Sequence, residues 1–278
     1  MPRIQALFLT LLAMLAFAGN SILCRMALKH TAIDPASFTG IRIVAGALTL
    51  WALVRLRAST APSTGNWPSA IALFVYTAAF SYAYVSLPAA SGALLLFGAV
   101  QATMIGYGWW TGDRPGTLQV LGLVTAAGGL IALLLPGFSA PPLAGASMMI
   151  AAGIAWGVYS LRGRGVYDPT RVTAGNFMRA SLLAVGLGAT MLPWSSVDAE
   201  GAMYAVASGA VTSGLGYVVW YTALRGLTAT TAASVQLSVH VITAAAGVAL
   251  LGEPLTLRLV LCSVAILGGI AVVIMGKR

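Results

Sequence analysis

Charged residues are scarce in this sequence, and their scarcity excludes a soluble fold. Only 8% of the 278 residues are charged, whereas 59% are hydrophobic. A soluble domain carries about 25% charged residues, because they keep its surface in contact with water. This chain lacks such a surface, so we expect the lipid bilayer to cover it.

Other absences narrow the function. The only lysines are Lys29 and Lys277 and there is no P-loop, which argues against an ATP-driven motor. The sequence contains no Ser/His/Asp set, metal-ligand cluster or glycine-rich nucleotide loop, so we expect no catalytic residue, no metal and no cofactor. An intramembrane enzyme is the alternative of another class. It is disfavoured because the two histidines, His30 and His240, lie far apart in the sequence.

Long stretches without charge predict membrane-spanning helices. Residues 58–112, 115–161 and 201–224 contain no charged residue, and a span needs about 20 apolar residues. Runs such as LVTAAGGLIALLL do not alternate apolar and polar residues, as the strands of a closed barrel would. The sequence therefore predicts an all-α integral membrane protein with ten transmembrane helices, at about residues 4–26, 35–56, 67–87, 88–110, 115–135, 142–162, 172–193, 202–224, 228–251 and 255–275.

The basic residues predict the orientation. With the N-terminus inside, the predicted cytoplasmic segments carry ten lysines and arginines and the outer segments carry three, which satisfies the positive-inside rule. Both termini are then cytoplasmic, and we expect the protein in the inner (cytoplasmic) membrane. The net charge of +9 is mostly explained by this orientation, so we expect no nucleic-acid partner. Arg3 and AFA at 16–18 leave open a cleaved secretory signal, which would leave nine helices.

The chain repeats itself. GDRPGTLQVLGLVTAAGGLIALL from Gly112 aligns with GEPLTLRLVLCSVAILGGIAVVI from Gly252 at an offset of 140. AFAGNS at 16–21 aligns with AWGVYS at 155–160, and Arg42 aligns with Arg179 at an offset of 137. The sequence therefore predicts two five-helix repeats, residues 1–138 and 139–278. Because five is odd, the second repeat enters the membrane from the opposite side, which is the plan of many secondary transporters.

These motifs resemble the EamA-type drug/metabolite transporter superfamily. The resemblance covers nearly the whole chain and includes the Gly-Asp/Glu pattern that opens helices five and ten, the glycine pairs within them, and the early arginines of helices two and seven. Within the superfamily, the chain is most similar to the YddG group of amino-acid exporters. The resemblance implies a central cavity between helices 1–4 and 6–9, with helices five and ten more peripheral. Many members have a proline midway along helices four and nine, where this chain has Gln101 and His240.

Polar and aromatic residues in the spans are the candidate site. Polar groups in a span are costly unless they face protein or water, and they often mark a pathway; the alternative is hydrogen bonding between helices. We expect the following residues to line the cavity: Asn20, Tyr82, Gln101, Trp156, Tyr159, Tyr217, Tyr221, Gln236 and His240. Structural or gating roles are expected for Arg42, Arg179, Gly128, Gly129, Gly268 and Gly269, because the glycine pairs allow close helix approach.

The positions of the acidic residues limit the class of substrate. All six lie at predicted helix ends or in loops: Asp34, Asp113, Asp168, Asp198, Glu200 and Glu253. An exporter of lipophilic cations usually needs a carboxylate in the membrane, so a neutral or zwitterionic solute fits better. We expect a broad-specificity exporter of amino acids, including aromatic ones, or of related metabolites by alternating access, as a monomer or homodimer. The alternative carrier exports another metabolite or a drug. His240 is the best-placed group for any proton coupling.

Overall fold

The structure, a computed structural model, is built from helices. It describes residues 3–56, 65–112, 116–135, 140–163, 166, 168–224, 235–236 and 238–275, and these contain no strand. The helices are α1 (Arg3–His30), α2 (Pro35–Leu56), α3 (Trp67–Tyr84), α4 (Ala89–Trp110), α5 (Thr117–Leu134), α6 (Leu143–Arg162), α7 (Pro169–Met191), α8 (consecutive segments Ala199–Ala207, Ser208–Leu215 and Gly216–Leu224), α9 (Ser238–Leu251) and α10 (Leu257–Met275). The predicted all-α class is confirmed.

The helices have the length and surface of membrane spans. Seven of those described, α1, α2 and α4 to α8, are long and apolar enough to cross a membrane, while α9 and most of α10 form shorter apolar helices. Large apolar side chains face outward, such as Trp110, Leu182 and Ile131, which are 91%, 64% and 62% exposed. Such a surface is stable only in contact with lipid. The fold is that of a multi-pass membrane protein.

The predicted helix boundaries need one clear correction. Helix α1 was expected to end near residue 26, but it continues to His30. The prediction places Arg25 next to the end of the helix. In the structure, Arg25 lies more than one turn before the helix end and pairs with Glu253. The predicted start of helix nine at residue 228 lies outside the described residues.

Short connections make successive helices antiparallel, so the bundle has two ends. We call the end where α1 begins the near end, and the end where α1 finishes at His30 the far end. Helices α2 and α7 pack together, as do α3 and α6, α4 and α6, and α1 with α8 and α9. Helix α5 packs mainly on α10, at the side of the bundle. This arrangement leaves α1, α3, α4, α6 and α8 around the centre.

Candidate functional site

Aromatic rings from four helices meet at the centre of the bundle. They belong to Phe17 of α1, Tyr76 and Phe80 of α3, Trp156 of α6 and Tyr217 of α8, and all are buried. The Trp156 ring centroid lies 4.9 Å from those of Tyr76 and Tyr217 and 6.0 Å from that of Phe17. Tilted and edge-on contacts at these distances are favourable. The cluster therefore forms an apolar wall shared by both halves of the chain.

These rings enclose a small central cavity. Its volume is about 10 Å³, which holds about one water molecule. Besides the rings, its wall includes Asn20 and Ser21 of α1 and Leu96 and Phe97 of α4. A larger molecule can occupy this position only if the surrounding helices move apart.

Asn20 links three helices beside the cavity. Its Nδ2 donates to the Tyr76 hydroxyl of α3 at 3.2 Å. Its Oδ1 accepts from the Ser208 Oγ at 2.7 Å and the Thr212 Oγ1 at 3.3 Å, both in α8. Only 5% of Asn20 is exposed. Because the amide is bonded on both sides, its orientation is fixed by the two helices that it joins.

Arg42 of α2 brings a fully buried charge next to this network. Its Nη2 donates to the Tyr76 hydroxyl at 3.2 Å, and its Nε donates to the Ser213 Oγ at 3.3 Å. The guanidinium carbon lies 5.4 Å from the Tyr76 ring centroid and 5.0 Å from that of Phe80. The third nitrogen, Nη1, is buried and has no hydrogen-bond partner. The charge is stabilised by hydroxyls and aromatic faces, with no carboxylate partner among the described residues.

The hydroxyls that reach Arg42 and Asn20 depend on an unusual turn of α8. Residues Ser208–Leu215 form a π-helix, in which backbone bonds join residues five apart rather than four. This winding brings Ser213 close to the face that carries Ser208 and Thr212. Gly209 allows the approach, because a side chain there would collide with the backbone carbonyl of Arg42. Helices α2 and α8 therefore meet backbone to backbone at the site.

A buried ion pair lies at the far end. The Arg25 Nε lies 3.0 Å from the Glu253 Oε1, with side chains only 9% and 6% exposed. Arg25 also donates to the backbone oxygens of Tyr84 and Val85, at 2.8 and 3.2 Å. Glu253 accepts from the Ala89 amide at 2.6 Å. The pair joins α1, the α3–α4 connection and the α9–α10 connection.

A second small pocket lies toward the near end. It is about 10 Å³ in volume, and Tyr159 of α6 and Tyr221 of α8 are part of its wall. Asn176 of α7 donates weakly to the Tyr159 hydroxyl at 3.5 Å and accepts from the Asn66 amide at 2.9 Å. Tyr159 lies one turn beyond Trp156, and their ring centroids are 5.6 Å apart. An aromatic pair thus separates the two pockets.

Residues 143–275 match the EamA-like transporter family. The chain belongs to the EamA-like transporter family. The matched stretch begins with α6 and ends with α10. The chain is also 56% identical, over 275 residues, to the uncharacterized protein PA1977 of Pseudomonas aeruginosa, a match that covers 99% of this chain and 96% of the relative.

A solved crystal structure has the same fold. It covers 100% of both chains with a TM-score of 0.68, while the sequence identity is 20%. At that identity, the similarity concerns the fold alone. The resemblance to the EamA-type superfamily predicted from the sequence is confirmed, and transport of small molecules across a membrane is the activity that the family implies.

The structure brings together only part of the predicted site of this EamA-like protein. Asn20, Trp156 and Tyr217 line the central cavity, and Tyr159 and Tyr221 line the near-end pocket. Other predicted residues lie elsewhere, as described next: Tyr82, Gln101, Gln236 and His240.

These four residues are outside the cavity wall in this conformation. The His240 Nε2 lies 3.0 Å from the Ser263 Oγ of α10, so the imidazole is directed to the side of the bundle. Gln101 and Gln236 are buried, at 1% and 5% exposure, and the Gln236 Oε1 has no hydrogen-bond partner. Tyr82 is half-buried. Their contact with a solute stays a prediction.

Sequence reasoning missed Tyr76 and Phe80 of the site. A signal was available, because Tyr76, Phe80 and Tyr84 recur every four residues on one face of α3. The π-helical turn of α8 and the pairing of Arg25 with Glu253 had no comparable signal. The first depends on packing against Arg42, and the second joins residues 228 positions apart.

The glycine pairs act through one member each. A side chain at Gly129 would meet the Ala265 Cβ at 2.8 Å, and one at Gly269 would meet the Ala126 amide at 2.7 Å. A side chain at Gly128 or Gly268 would meet nothing within 4 Å. The expectation that both members allow close approach is corrected here, because consecutive helical residues point about 100° apart and only one can face the partner.

Proposed function

We propose that this EamA-like chain is a secondary transporter that exports amino acids, aromatic ones included, or related small metabolites. The central cavity is the observation that carries the proposal. It has aromatic walls that suit an apolar side chain, and Asn20 and Tyr76 provide polar groups that can orient the solute. Phe17 lies near the middle of α1, so the cavity is far from both ends of the bundle.

The proposed route crosses the cytoplasmic membrane with both termini inside. In this orientation, the near end is cytoplasmic and the far end is outside. The proposal includes two inverted five-helix repeats, and the family match over α6 to α10, the second of these repeats, supports this division. Gly112 and Gly252, which the repeat aligns, both have positive φ, at 106° and 61°. Positive φ strongly favours glycine, so the two aligned turns share a conformational requirement.

Alternating access is the proposed mechanism. The Arg25–Glu253 pair holds the far end closed, and the Asn66–Asn176 bond joins α3 to α7 at the near end. The central cavity is too small for an amino acid in this conformation. Opening one end while the other stays closed would expand the cavity toward one side at a time. Gln101 lies one turn from the cavity residue Phe97. We propose that Gln101, Gln236 and His240 become part of the cavity wall when the near end opens.

The composition of the spans favours amino acids over cationic drugs. The five acids that the structure describes lie at helix ends or in connections, so the described part of the central region lacks a carboxylate that could hold a lipophilic cation. A second candidate function is export of a different metabolite that carries a polar group and an apolar body. The aromatic and polar groups of the cavity suit such a metabolite as well. Counterflow measured with a panel of substrates distinguishes it from an amino acid.

Counterflow in proteoliposomes tests the proposal. We expect unlabelled phenylalanine, tyrosine or leucine inside the vesicles to drive saturable uptake of the labelled solute without ATP. Trp156→Ala should reduce uptake per folded molecule at least 10-fold, since it removes the ring at the centre of the cluster. Trp110→Ala is the matched control, because Trp110 is 91% exposed, and it should behave like the wild type. Amino-acid counterflow no higher than in protein-free vesicles, from correctly folded protein, would refute amino-acid export.

A further inference from the structure

Arg42 is the least satisfied charge at the centre of the protein. Its side chain is fully buried, yet Nη1 has no hydrogen-bond partner. Burying a charge without an ionic partner is costly, and removal of a counter-ion from a buried pair is strongly destabilising. Arg42 lies directly behind the cavity wall, because its Nη2 donates to the hydroxyl of the wall residue Tyr76.

Arg42 is surrounded by hydroxyl groups and aromatic faces rather than by acids. Tyr76 and Ser213 accept its hydrogen bonds, and the rings of Tyr76 and Phe80 lie beside the guanidinium. Among the described residues, Glu253 is paired with Arg25 and Asp168 with Arg171, both away from the cavity. No carboxylate among the described residues therefore pairs with this positive charge.

We propose that Arg42 binds the carboxylate of the transported solute. This proposal rests on the transport function proposed above and names the chemical class that the site recognises. A guanidinium presents parallel N–H donors that match the two oxygens of a carboxylate. With the carboxylate at Nη1, the rest of the solute extends past Tyr76 toward Phe17 and Trp156. The Tyr76 hydroxyl, shared by Arg42 and Asn20, marks the boundary between the two parts of the site.

The same geometry makes an amino group on the solute dispensable. No carboxylate among the described residues lines the cavity, and the Asn20 Oδ1 already accepts two hydrogen bonds. An ammonium group would enter without an ionic partner, beside a positive guanidinium. The preferred class is thus an organic monocarboxylate with an aromatic or branched apolar body. Amino acids are members of this class by virtue of their carboxylate.

Two pairs of matched ligands test the proposal on purified protein in detergent. The first pair is 3-phenylpropionate and its neutral isostere 3-phenylpropanamide, and the second is phenylalanine and phenylalaninol. The measurement is the ligand concentration that half-saturates the rise in melting temperature. We expect each carboxylate to bind about 10- to 150-fold more tightly than its neutral or cationic partner, the range for one hydrogen bond to a charged group. We also expect 3-phenylpropionate to bind at least as tightly as phenylalanine.

Substitutions assign the preference to Arg42. Arg42→Gln should abolish the carboxylate preference, and Arg42→Lys should retain part of it, because an ammonium keeps the charge without the paired donors. Arg179→Gln is the matched control and should keep the full preference. Equal binding of 3-phenylpropionate and 3-phenylpropanamide to the wild type would overturn the proposal, as would an unchanged preference in folded Arg42→Gln. If neither Arg42 variant folds, the comparison of the matched ligands on the wild-type protein decides.

These measurements are separable from the test of transport. Binding of carboxylates without counterflow would refute the export function while supporting the anion site. Counterflow of amino acids, together with equal binding of the carboxylates and their partners without a carboxylate, would support export and refute the anion site. Loss of transport alone in Arg42→Gln is not the readout, since a structural arginine would also produce it.

Discussion

Arg42 and Arg179 occupy aligned positions in the two halves, but their surroundings differ. Arg42 is fully buried and reaches Tyr76 of α3 and Ser213 of α8. Arg179 is half-buried and donates to the Gly175 carbonyl oxygen, four residues earlier in its own helix, at 3.0 Å. The two aligned arginines thus differ in their contacts: Arg42 bonds side chains of α3 and α8, and Arg179 bonds a backbone oxygen of its own helix.

The helices that face the two arginines account for the difference. Helix α8 has a π-helical turn and Gly209 where it meets Arg42. Helix α3, its counterpart in the other half, is α-helical from Trp67 to Tyr84. An extra residue in one turn rotates the side chains that follow it. The hydroxyls of Ser208 and Thr212 reach Asn20 from α8, whereas the repeat aligns these two positions with Ile71 and Val75 of α3. A binding site in a pseudo-symmetric transporter can therefore be asymmetric even where the sequence repeats.

The far-end ion pair should show the largest effect on stability. The repeat aligns Glu253 and Arg25 with Asp113 and Arg164, which lie outside the described residues. Glu253→Ala leaves Arg25 charged and buried, which should cost about 3–5 kcal/mol of unfolding free energy. The expected result is a large drop in melting temperature, measured in detergent at a fixed scan rate.

Glu200→Ala is the control for this change, because Glu200 is exposed and its one partner among the described residues is its helix neighbour Tyr204. Its melting temperature should stay close to that of the wild type. The double variant Arg25→Met/Glu253→Ala should be more stable than Glu253→Ala alone, since it removes the unpaired charge. Equal melting temperatures of Glu253→Ala and Glu200→Ala would show that the pair does not hold the far end together.

The glycine pairs offer a comparison in which the two halves should agree. Gly269→Ala places a methyl group against the Ala126 amide, whereas Gly268→Ala places one in open space. We expect the first to cost about 1–3 kcal/mol by overpacking and the second to stabilise the helix slightly, by up to about 1 kcal/mol. Gly129→Ala and Gly128→Ala should repeat this pattern on α5. Melting temperatures of the four variants measure it, and a destabilising Gly268→Ala would contradict the packing.

The sequence predicted the scaffold better than the site. Uncharged stretches and prolines predict the ten helices. Each helix must be long enough to cross the hydrocarbon core and must keep charged residues out of it, and both requirements can be read from the segment itself. Asn20, Trp156 and Tyr217 were placed at the centre by their positions in matching helices. The sequence predicts a structural or gating role for Arg42. Whether its Nη1 has a hydrogen-bond partner depends on which helices pack around it. Contacts such as Arg25 with Glu253 join distant segments, so no local pattern reveals them.

A third comparison concerns the starts of α2 and α7, each of which begins at the proline of an Asp-Pro pair. Asp34 accepts from the Ala36 and Ser37 amides of its own helix, at 2.9 and 3.0 Å, and from the Ser196 amide of the other half, at 3.0 Å. Asp168 accepts from the Arg171 amide at 3.2 Å and pairs with the Arg171 side chain. Both acids cap their helices. Among the contacts of the described residues, Asp34 also bonds Ser196, which lies in the other half of the chain.

Asp34→Ala should therefore cost about 1–2 kcal/mol, and Asp168→Ala about 0.5–1 kcal/mol, within the range for loss of a helix cap. Burial alone would raise the pKa of Asp34, but the hydrogen bonds from Ser37, Ser196 and Ala36 outweigh it and lower this pKa. A carboxyl group with a lowered folded-state pKa stabilises the protein above its unfolded pKa and loses that contribution as the pH falls. The difference in melting temperature between wild type and Asp34→Ala should thus be constant from pH 6 to 8 and should shrink below about pH 4. A difference that grows on acidification would mean that protonated Asp34 is the stabilising form, and would contradict the bridge between the two halves seen at Ser196.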